Sequence, residues 1–168
     1  MLQHPIPPVY DGQSRVLILG SFPSVKSREQ GFFYGHPQNR FWRVLSAVLE
    51  DALPQSVPER RDFLLRHGIA LWDVIAACEI SGSSDASIRA AAVNDFSPIL
   101  QAAPIRTIYV NGQTAAKLYR KYGEPMTGSP AAVLTSTSPA NAAWSLERLI
   151  GAWSVIREET QSFSRESP

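Results

Sequence analysis

The sequence predicts an α/β protein, a three-layer α/β/α sandwich around a central four-stranded parallel sheet. Two observations carry this expectation. Four short apolar, β-rich runs recur along the chain, and stretches with helical spacing of apolar positions lie between and after them. Such alternation is what parallel strands joined by crossover helices produce. At 168 residues with 44% hydrophobic positions, one domain spanning residues 1–168 with its own core is expected.

The first element is Arg15-Val-Leu-Ile-Leu-Gly20, an apolar run ended by glycine, which reads as a strand buried on both faces of a parallel sheet. Ile69-Ala-Leu-Trp-Asp73, Thr107-Ile-Tyr-Val110 and Ala132-Val-Leu-Thr135 have the same character. Helices are expected over Phe41 to Leu49, Pro58 to His67, Phe96 to Ala102, Thr114 to Lys121 and Ala142 to Arg157. Residues 1–13 and 160–168 are expected to be peripheral, the polar stretch from Ser162 fraying. Ligands of such sheets bind beyond the carboxyl ends of the strands, so chemistry is sought in the loops that begin at Ser21, Val74, Asn111 and Ser136.

Composition removes several classes of function. A single cysteine, Cys78, permits no internal disulfide and forms no zinc spacing with His4, His36 and His67, so neither a metal nor a cofactor is implied. The first ten residues carry Pro5, Pro7 and Pro8 without the basic and apolar regions of a signal peptide, and no run reaches bilayer-spanning length; a cytoplasmic protein is expected. The net charge of +1 does not announce nucleic acid. Local asymmetry exists between Gly20 and Arg43, where Lys26, Arg28, Arg40 and Arg43 oppose Glu29 alone. By itself such a cluster is more often a solvated face than a phosphate track.

Three segments carry candidate chemistry. Gly20-Ser-Phe-Pro-Ser24 ends the first strand in a turn whose backbone N–H groups can face a ligand, and Phe32-Phe-Tyr-Gly-His-Pro-Gln-Asn-Arg-Phe-Trp42 supplies flat aromatic surface. Together they would form a slot for a flat base, or else a turn and core aromatics. Asn39 precedes a helix, so it is a cap candidate; its neutral carboxamide, with acceptor and donors, can equally hold a water. Leu134-Thr-Ser-Thr-Ser-Pro-Ala-Asn141 follows a strand, with Ser138 as candidate cap and Pro139 at the first helical position, which makes an anion site or an ordinary helix start.

Taken together, these segments resemble the uracil-DNA glycosylase superfamily, and most closely its hypoxanthine-DNA glycosylase branch, with the mismatch-specific uracil-DNA glycosylases next. Leu17-Ile-Leu-Gly-Ser-Phe-Pro-Ser24 resembles the first superfamily motif, His36-Pro-Gln-Asn-Arg-Phe-Trp42 a segment shared with the mismatch-specific branch, and Ser136-Thr-Ser-Pro-Ala-Asn141 the second motif. The resemblance spans Val16 to about Ile156. Phe22 stands where mismatch-specific relatives carry a catalytic asparagine, so that role is assigned by the resemblance to Asn39. By the same matching, Tyr34 is the aromatic on which an extruded base stacks. Leu71-Trp-Asp-Val-Ile75 and Ser81-Gly-Ser-Ser-Asp85 also resemble this branch, and they place Asp73 near the base edge, where a helix cap or ion pair is the competing role.

The resemblance implies a monofunctional glycosylase that removes a deaminated base, hypoxanthine foremost, from double- or single-stranded DNA and acts as a monomer. In this reading Tyr34 stacks on the flipped base, backbone amides around Ser21 and Phe22 meet its carbonyl, and Asn39 holds the attacking water. Lys26, Arg40, Ser136 and Ser138 would contact DNA, and Pro139, Ala140 or Asn141 would enter the space the base leaves. A mismatch-specific uracil or thymine glycosylase and a catalytically silent nucleic-acid-binding module are the alternatives.

Overall fold

The computed structural model describes residues 2–81 and 88–166. Strand β2 (Val16–Gly20) is buried along its whole length. It pairs in parallel with β3 (Ile69–Asp73) on one side and β6 (Thr107–Asn111) on the other, and β7 (Ala132–Leu134) pairs in parallel with β6. The four-stranded parallel sheet therefore has the order β3-β2-β6-β7. Alternate residues of β2 enter different cores, as strand geometry requires. Val16 and Ile18 pack with Phe41, Leu45, Phe63, Leu64 and Trp153 from α2 (Phe41–Val48), α3 (Val57–Arg66) and α7 (Leu146–Trp153). Leu17 and Leu19 pack with Ile99, Ala115 and Ala116 from α4 (Ser97–Ala102) and α5 (Gln113–Leu118), together with Phe96 and Tyr119. Two cores on two faces make the three layers. Truncating either fully buried anchor, Phe41 or Trp153, to Ala costs about 3–5 kcal/mol.

Helix starts follow local polar chemistry. Ser24 Oγ accepts from Ser27 N at the head of α1 (Val25–Gln30), and Ser56 Oγ accepts from Glu59 N at the head of α3. Lys26, expected in the first loop, lies on α1.

Several expectations give way to the fold. Residues 1–13 are not peripheral: β1 (Leu2–Gln3) pairs antiparallel with β4 (Ile75–Glu79), Val9 bridges Leu71, and Ile6 and Val9 are core residues. β4 also pairs with β5 (Arg89–Val93), which adds an unexpected antiparallel sheet of order β1-β4-β5. Its strands Ile75-Ala-Ala-Cys-Glu79 and Arg89-Ala-Ala-Ala-Val93 are alanine-rich and carry little intrinsic strand signal, so pairing rather than propensity makes them strands.

The helix expected over Ala142 to Arg157 is two helices, α7 and α8 (Val155–Glu166), interrupted at Ser154. Ser138 caps neither; Ser145 does, its Oγ accepting from Arg148 N at 3.1 Å. Residues 138–144 form a loop because their polar side chains satisfy the backbone locally: Ser138 Oγ accepts from Ala140 N, and Asn141 Nδ2 donates to Ser136 O. α8 continues to Glu166, over residues expected to fray. The helix expected to Lys121 is α5 followed by a wide π-type turn, Tyr119–Gly123, and α6 (Glu124–Thr127). No helix among the described residues is long and apolar enough to cross a membrane.

Candidate functional site

The carboxyl ends of all four parallel strands open onto one pocket of about 290 Å³, at the lower end of the range for small-molecule clefts. Gly20, Ser21 and Phe22 after β2, Asp73 ending β3, Asn111 ending β6 and Ser136 to Ala140 after β7 line it, with Tyr34, His36 and Asn39 from the loop before α2. These are the loops that the sheet rule selects.

At its floor the backbone must come close. A Cβ on Gly20 would overlap Asp73 Oδ1 and stand 2.9 Å from Tyr34 Oη. Only glycine leaves room for both side chains. Tyr34 itself holds a left-handed backbone, φ 52°, uncommon for a bulky residue and characteristic of places where surrounding structure overrides local preference. Its ring stacks on Phe41 with centroids 4.0 Å apart and planes 14° from parallel. A rigid aromatic platform thus forms part of the pocket wall.

The oxygen and the nitrogen of the Asn39 carboxamide are engaged differently. Its Oδ1 accepts from Phe41 N at 3.0 Å, which closes the start of α2, and from Thr137 Oγ1 at 2.9 Å. The amide donor at Phe41 fixes which end of the carboxamide is oxygen. Two donors occupy the two lone pairs of that oxygen, so Nδ2 is the group Asn39 offers to a pocket ligand. Asn111 organises this arrangement: its Nδ2 donates to Tyr34 Oη at 3.1 Å and to Thr137 Oγ1 at 3.0 Å, while its Oδ1 accepts from Thr137 N at 3.1 Å. Tyr34, Asn111, Thr137 and Asn39 therefore form one connected polar network, the kind that specifies a single geometry when its members are satisfied.

Asp73 is buried on the opposite side of the floor. Oδ2 accepts from His4 Nε2 at 2.8 Å, and its backbone carbonyl accepts from Asn94 Nδ2 at 2.9 Å. Phe22 stands edge-on to the His4 ring, 5.8 Å between centroids, with the Arg28 guanidinium over its own ring at 5.7 Å. Phe32 and Phe33 are core, and Phe33 also lines the pocket.

The basic residues divide differently from expectation. Arg40 does not present its fork to a phosphate: NH1 donates to Trp144 O, and NH2 donates to Ser138 O and Asn141 O. Its guanidinium holds the 138–144 loop in place, and its backbone N–H donates to Thr137 O. Lys26 lies outside the pocket lining, exposed, 3.6 Å from Glu29 across one helical turn. Asn141 also lies outside it, its amide committed to Ser136 O. Ser136, Ser138, Pro139 and Ala140 do line the rim, but as a loop rather than a helix terminus. Gly82 to Asp85 of the second resembling segment lie outside the described residues. Among the described residues no group of three or more His, Cys, Asp or Glu side chains could hold a metal ion.

Sequence reasoning missed Asn111, Thr137 and His4. Asn111 ends a predicted strand and Thr137 sits inside a quoted motif, so the strand-end rule reached both places without selecting the side chains. His4 has no local signal, because its partner lies 69 residues away.

A family model described as the uracil DNA glycosylase superfamily matches residues 7–157. Among curated relatives, the chain is similar to a hypoxanthine DNA glycosylase of Methanosarcina acetivorans, 35% identical over 153 residues that cover 88% of this chain and 94% of the relative. A hypoxanthine DNA glycosylase of Methanosarcina barkeri is 35% identical over 143 residues, 84% of this chain and 89% of that protein. Among solved structures, a solution NMR structure of a candidate uracil DNA glycosylase from Methanosarcina acetivorans superposes with a TM-score of 0.79 at 32% identity, covering 94% of this chain and 98% of that one. The family match begins at residue 7, within the N-terminal stretch whose Val9 bridges β3.

Proposed function

Because the chain belongs to the uracil DNA glycosylase superfamily, we propose that it is a monofunctional DNA glycosylase that takes a flipped deaminated base, hypoxanthine foremost, into this pocket and hydrolyses its N-glycosidic bond. The observation that carries the reading is the juxtaposition of a braced aromatic platform, Tyr34 on Phe41, with Asn39 and Asp73 around one base-sized opening.

A duplex hides the sugar carbon bonded to the base, so the nucleotide leaves the stack before reaction. Tyr34 stacks on the extruded base, and Asp73 meets its edge. Asn39 Nδ2 donates to the oxygen of a water beneath the sugar and thereby orients it, while the network through Thr137 and Asn111 keeps the carboxamide from turning. Negative charge develops on the departing base as the bond opens, and in this reading backbone N–H groups around Ser21 and Phe22 meet it.

Ser136 and Ser138 each accept a loop N–H, from Ser138 and Ala140 respectively, and each hydroxyl retains a hydrogen to donate to a phosphate oxygen. Lys26 extends this contact along the strand. Pro139 and Ala140, at the pocket rim, fill the space the base vacates. The protein works in this reading as a cytoplasmic monomer on double- or single-stranded DNA.

Duplexes containing hypoxanthine, uracil, xanthine or a thymine mismatch, assayed for released base, test the proposal. Fastest release from hypoxanthine is expected. Faster release from uracil or mismatched thymine would assign the protein to the mismatch-specific type, and DNA binding without release from any lesion would make it a silent binding module.

A further inference from the structure

His4 lies behind the pocket lining, bonded to Asp73, and its imidazole is held in one protonation pattern by its neighbours. Ile6 N donates to Nδ1 at 3.2 Å, so Nδ1 is the bare, accepting nitrogen. The ring proton then resides on Nε2, which donates to Asp73 Oδ2 at 2.8 Å. Both side chains are almost completely buried, 3% and 5% exposed. The imidazole sits among Phe22, Phe33 and Trp72, with ring centroids 5.8–6.1 Å away. An arm expected to be peripheral thus places one fixed N–H donor behind the carboxylate.

That donor determines what the other face of Asp73 can be. Oδ1 faces Gly20 at the pocket floor, where a Cβ would overlap it, and no described residue donates to it. With Oδ2 held by His4 and the ring proton on the imidazole, Oδ1 is a pure acceptor aimed at whatever edge enters.

We propose that His4 is the positioning residue that fixes Asp73 as an acceptor toward the base edge, so that the pocket admits bases carrying a ring N–H and refuses adenine and cytosine. Deamination replaces the exocyclic amine by a carbonyl and, with it, puts a hydrogen on the adjacent ring nitrogen. Hypoxanthine presents N1–H where adenine presents a lone pair, and uracil presents N3–H where cytosine presents one. Against the unmodified parents, Asp73 Oδ1 opposes lone pair to lone pair in a dry site. Sites built around a substrate N–H refuse the analogue lacking it strongly, about 10⁴-fold or more. Guanine and thymine carry the same N–H, so this contact does not discriminate against them.

The inference rests on the glycosylase reading and is tested so that the two fail separately. The first measurement is the nitrogen-15 spectrum of the His4 imidazole in the intact protein, which reports the tautomer without reference to activity. A protonated Nε2 and bare Nδ1 are expected; a protonated Nδ1 overturns the inference even if base release is fast.

The second is a pair of variants on the hypoxanthine duplex, checked for folding by melting. In Asp73→Asn, the His4 N–H must still find oxygen, so the carboxamide oxygen turns to His4 and its NH₂ faces the pocket. Release of hypoxanthine should fall about 100-fold or more. Adding His4→Phe keeps an aromatic ring at that position and removes the donor, which frees the carboxamide to turn its oxygen outward, and at least about a tenfold recovery is expected. A merely structural His4 would make the double variant no better than Asp73→Asn alone, and that result overturns the inference. Absence of base release by the unaltered protein would overturn the glycosylase reading, while the tautomer spectrum would still decide the state of Asp73.

Discussion

Replacing Asn39 by Ala separates the stabilising role of this residue from the proposed chemical one, because the two fall on different atoms of the carboxamide. Oδ1 closes α2 through Phe41 N and receives the Thr137 hydroxyl. Loss of the cap costs about 1 kcal/mol. The Thr137 hydroxyl, on a fully buried residue, loses its acceptor at about 1–3 kcal/mol. Together these come to about 2–4 kcal/mol, against a native stability of about 5–15 kcal/mol. Even with only about 1 kcal/mol left, about four molecules in five stay folded, so unfolding alone lowers activity less than about twofold. Loss of the Nδ2 contact to water should lower single-turnover base release at least about 100-fold, roughly 2.7 kcal/mol in barrier. Thr137→Val is the matched control. It also disrupts the network and should cost about 1–3 kcal/mol of stability, but it keeps Asn39 Nδ2 and should slow release no more than about tenfold. Melting curves and single-turnover release on the hypoxanthine duplex supply both numbers. Equal losses in the two variants, or a loss in Asn39→Ala no larger than its unfolded fraction, would refute the assignment of chemistry to Nδ2.

Three other outcomes follow from the same geometry. Tyr34→Ala should weaken capture of the extruded base by about 1–3 kcal/mol, whereas Tyr34→Phe keeps the ring on Phe41 and loses the bond from Asn111; equal damage in release assays would mean that the hydroxyl, not the ring, carries the function. Gly20→Ala drives a methyl into Asp73 and toward Tyr34 Oη, so base release should fall at least about tenfold with a stability loss of about 1–3 kcal/mol, and full activity would show that this close approach is dispensable. Away from the pocket, hydrogen bonds from His67 and then Arg66 lower the Asp51 carboxyl to about 2 from 3.8. A depressed folded-state value stabilises above the unfolded one, so this contribution is present above pH 3.8 and is lost as pH falls toward about 2. The melting temperature of Asp51→Asn should therefore fall less than that of the unaltered protein between pH 5 and pH 2.

The central sheet was legible because its inner strands are buried on both faces and so read as unbroken apolar runs, such as Val16 to Leu19. The second sheet was not, since alanines at Ala76, Ala77, Ala91 and Ala92 give no periodic contrast between faces. Tyr34, Asn39 and Asp73 were reachable from motif resemblance and strand ends, and the structure gathers all three. Ser138-Pro139 satisfies the local rules for a helix start as well as Ser145 does; the local bonds of Ser138 and Asn141 and the carbonyls held by Arg40 keep that stretch a loop. Arg40 looked like a phosphate ligand for the same reason: a sequence shows a charge without showing what neutralises or binds it. The His4 contact to Asp73 belongs to tertiary structure alone.

The account stands most directly on the fate of the sugar. An enzyme that attacks with water leaves an intact abasic site, whereas attack by an amine forms an imine that borohydride traps as a covalent protein–DNA adduct. The chain has three lysines, Lys26, Lys117 and Lys121, and none lines the pocket. Incubated with a hypoxanthine-containing duplex, the protein should release free hypoxanthine in amounts equal to the abasic sites formed, with strand scission only after alkali and no adduct with borohydride. A trapped adduct, or scission without alkali that follows the enzyme concentration, would contradict hydrolysis by a water held at Asn39.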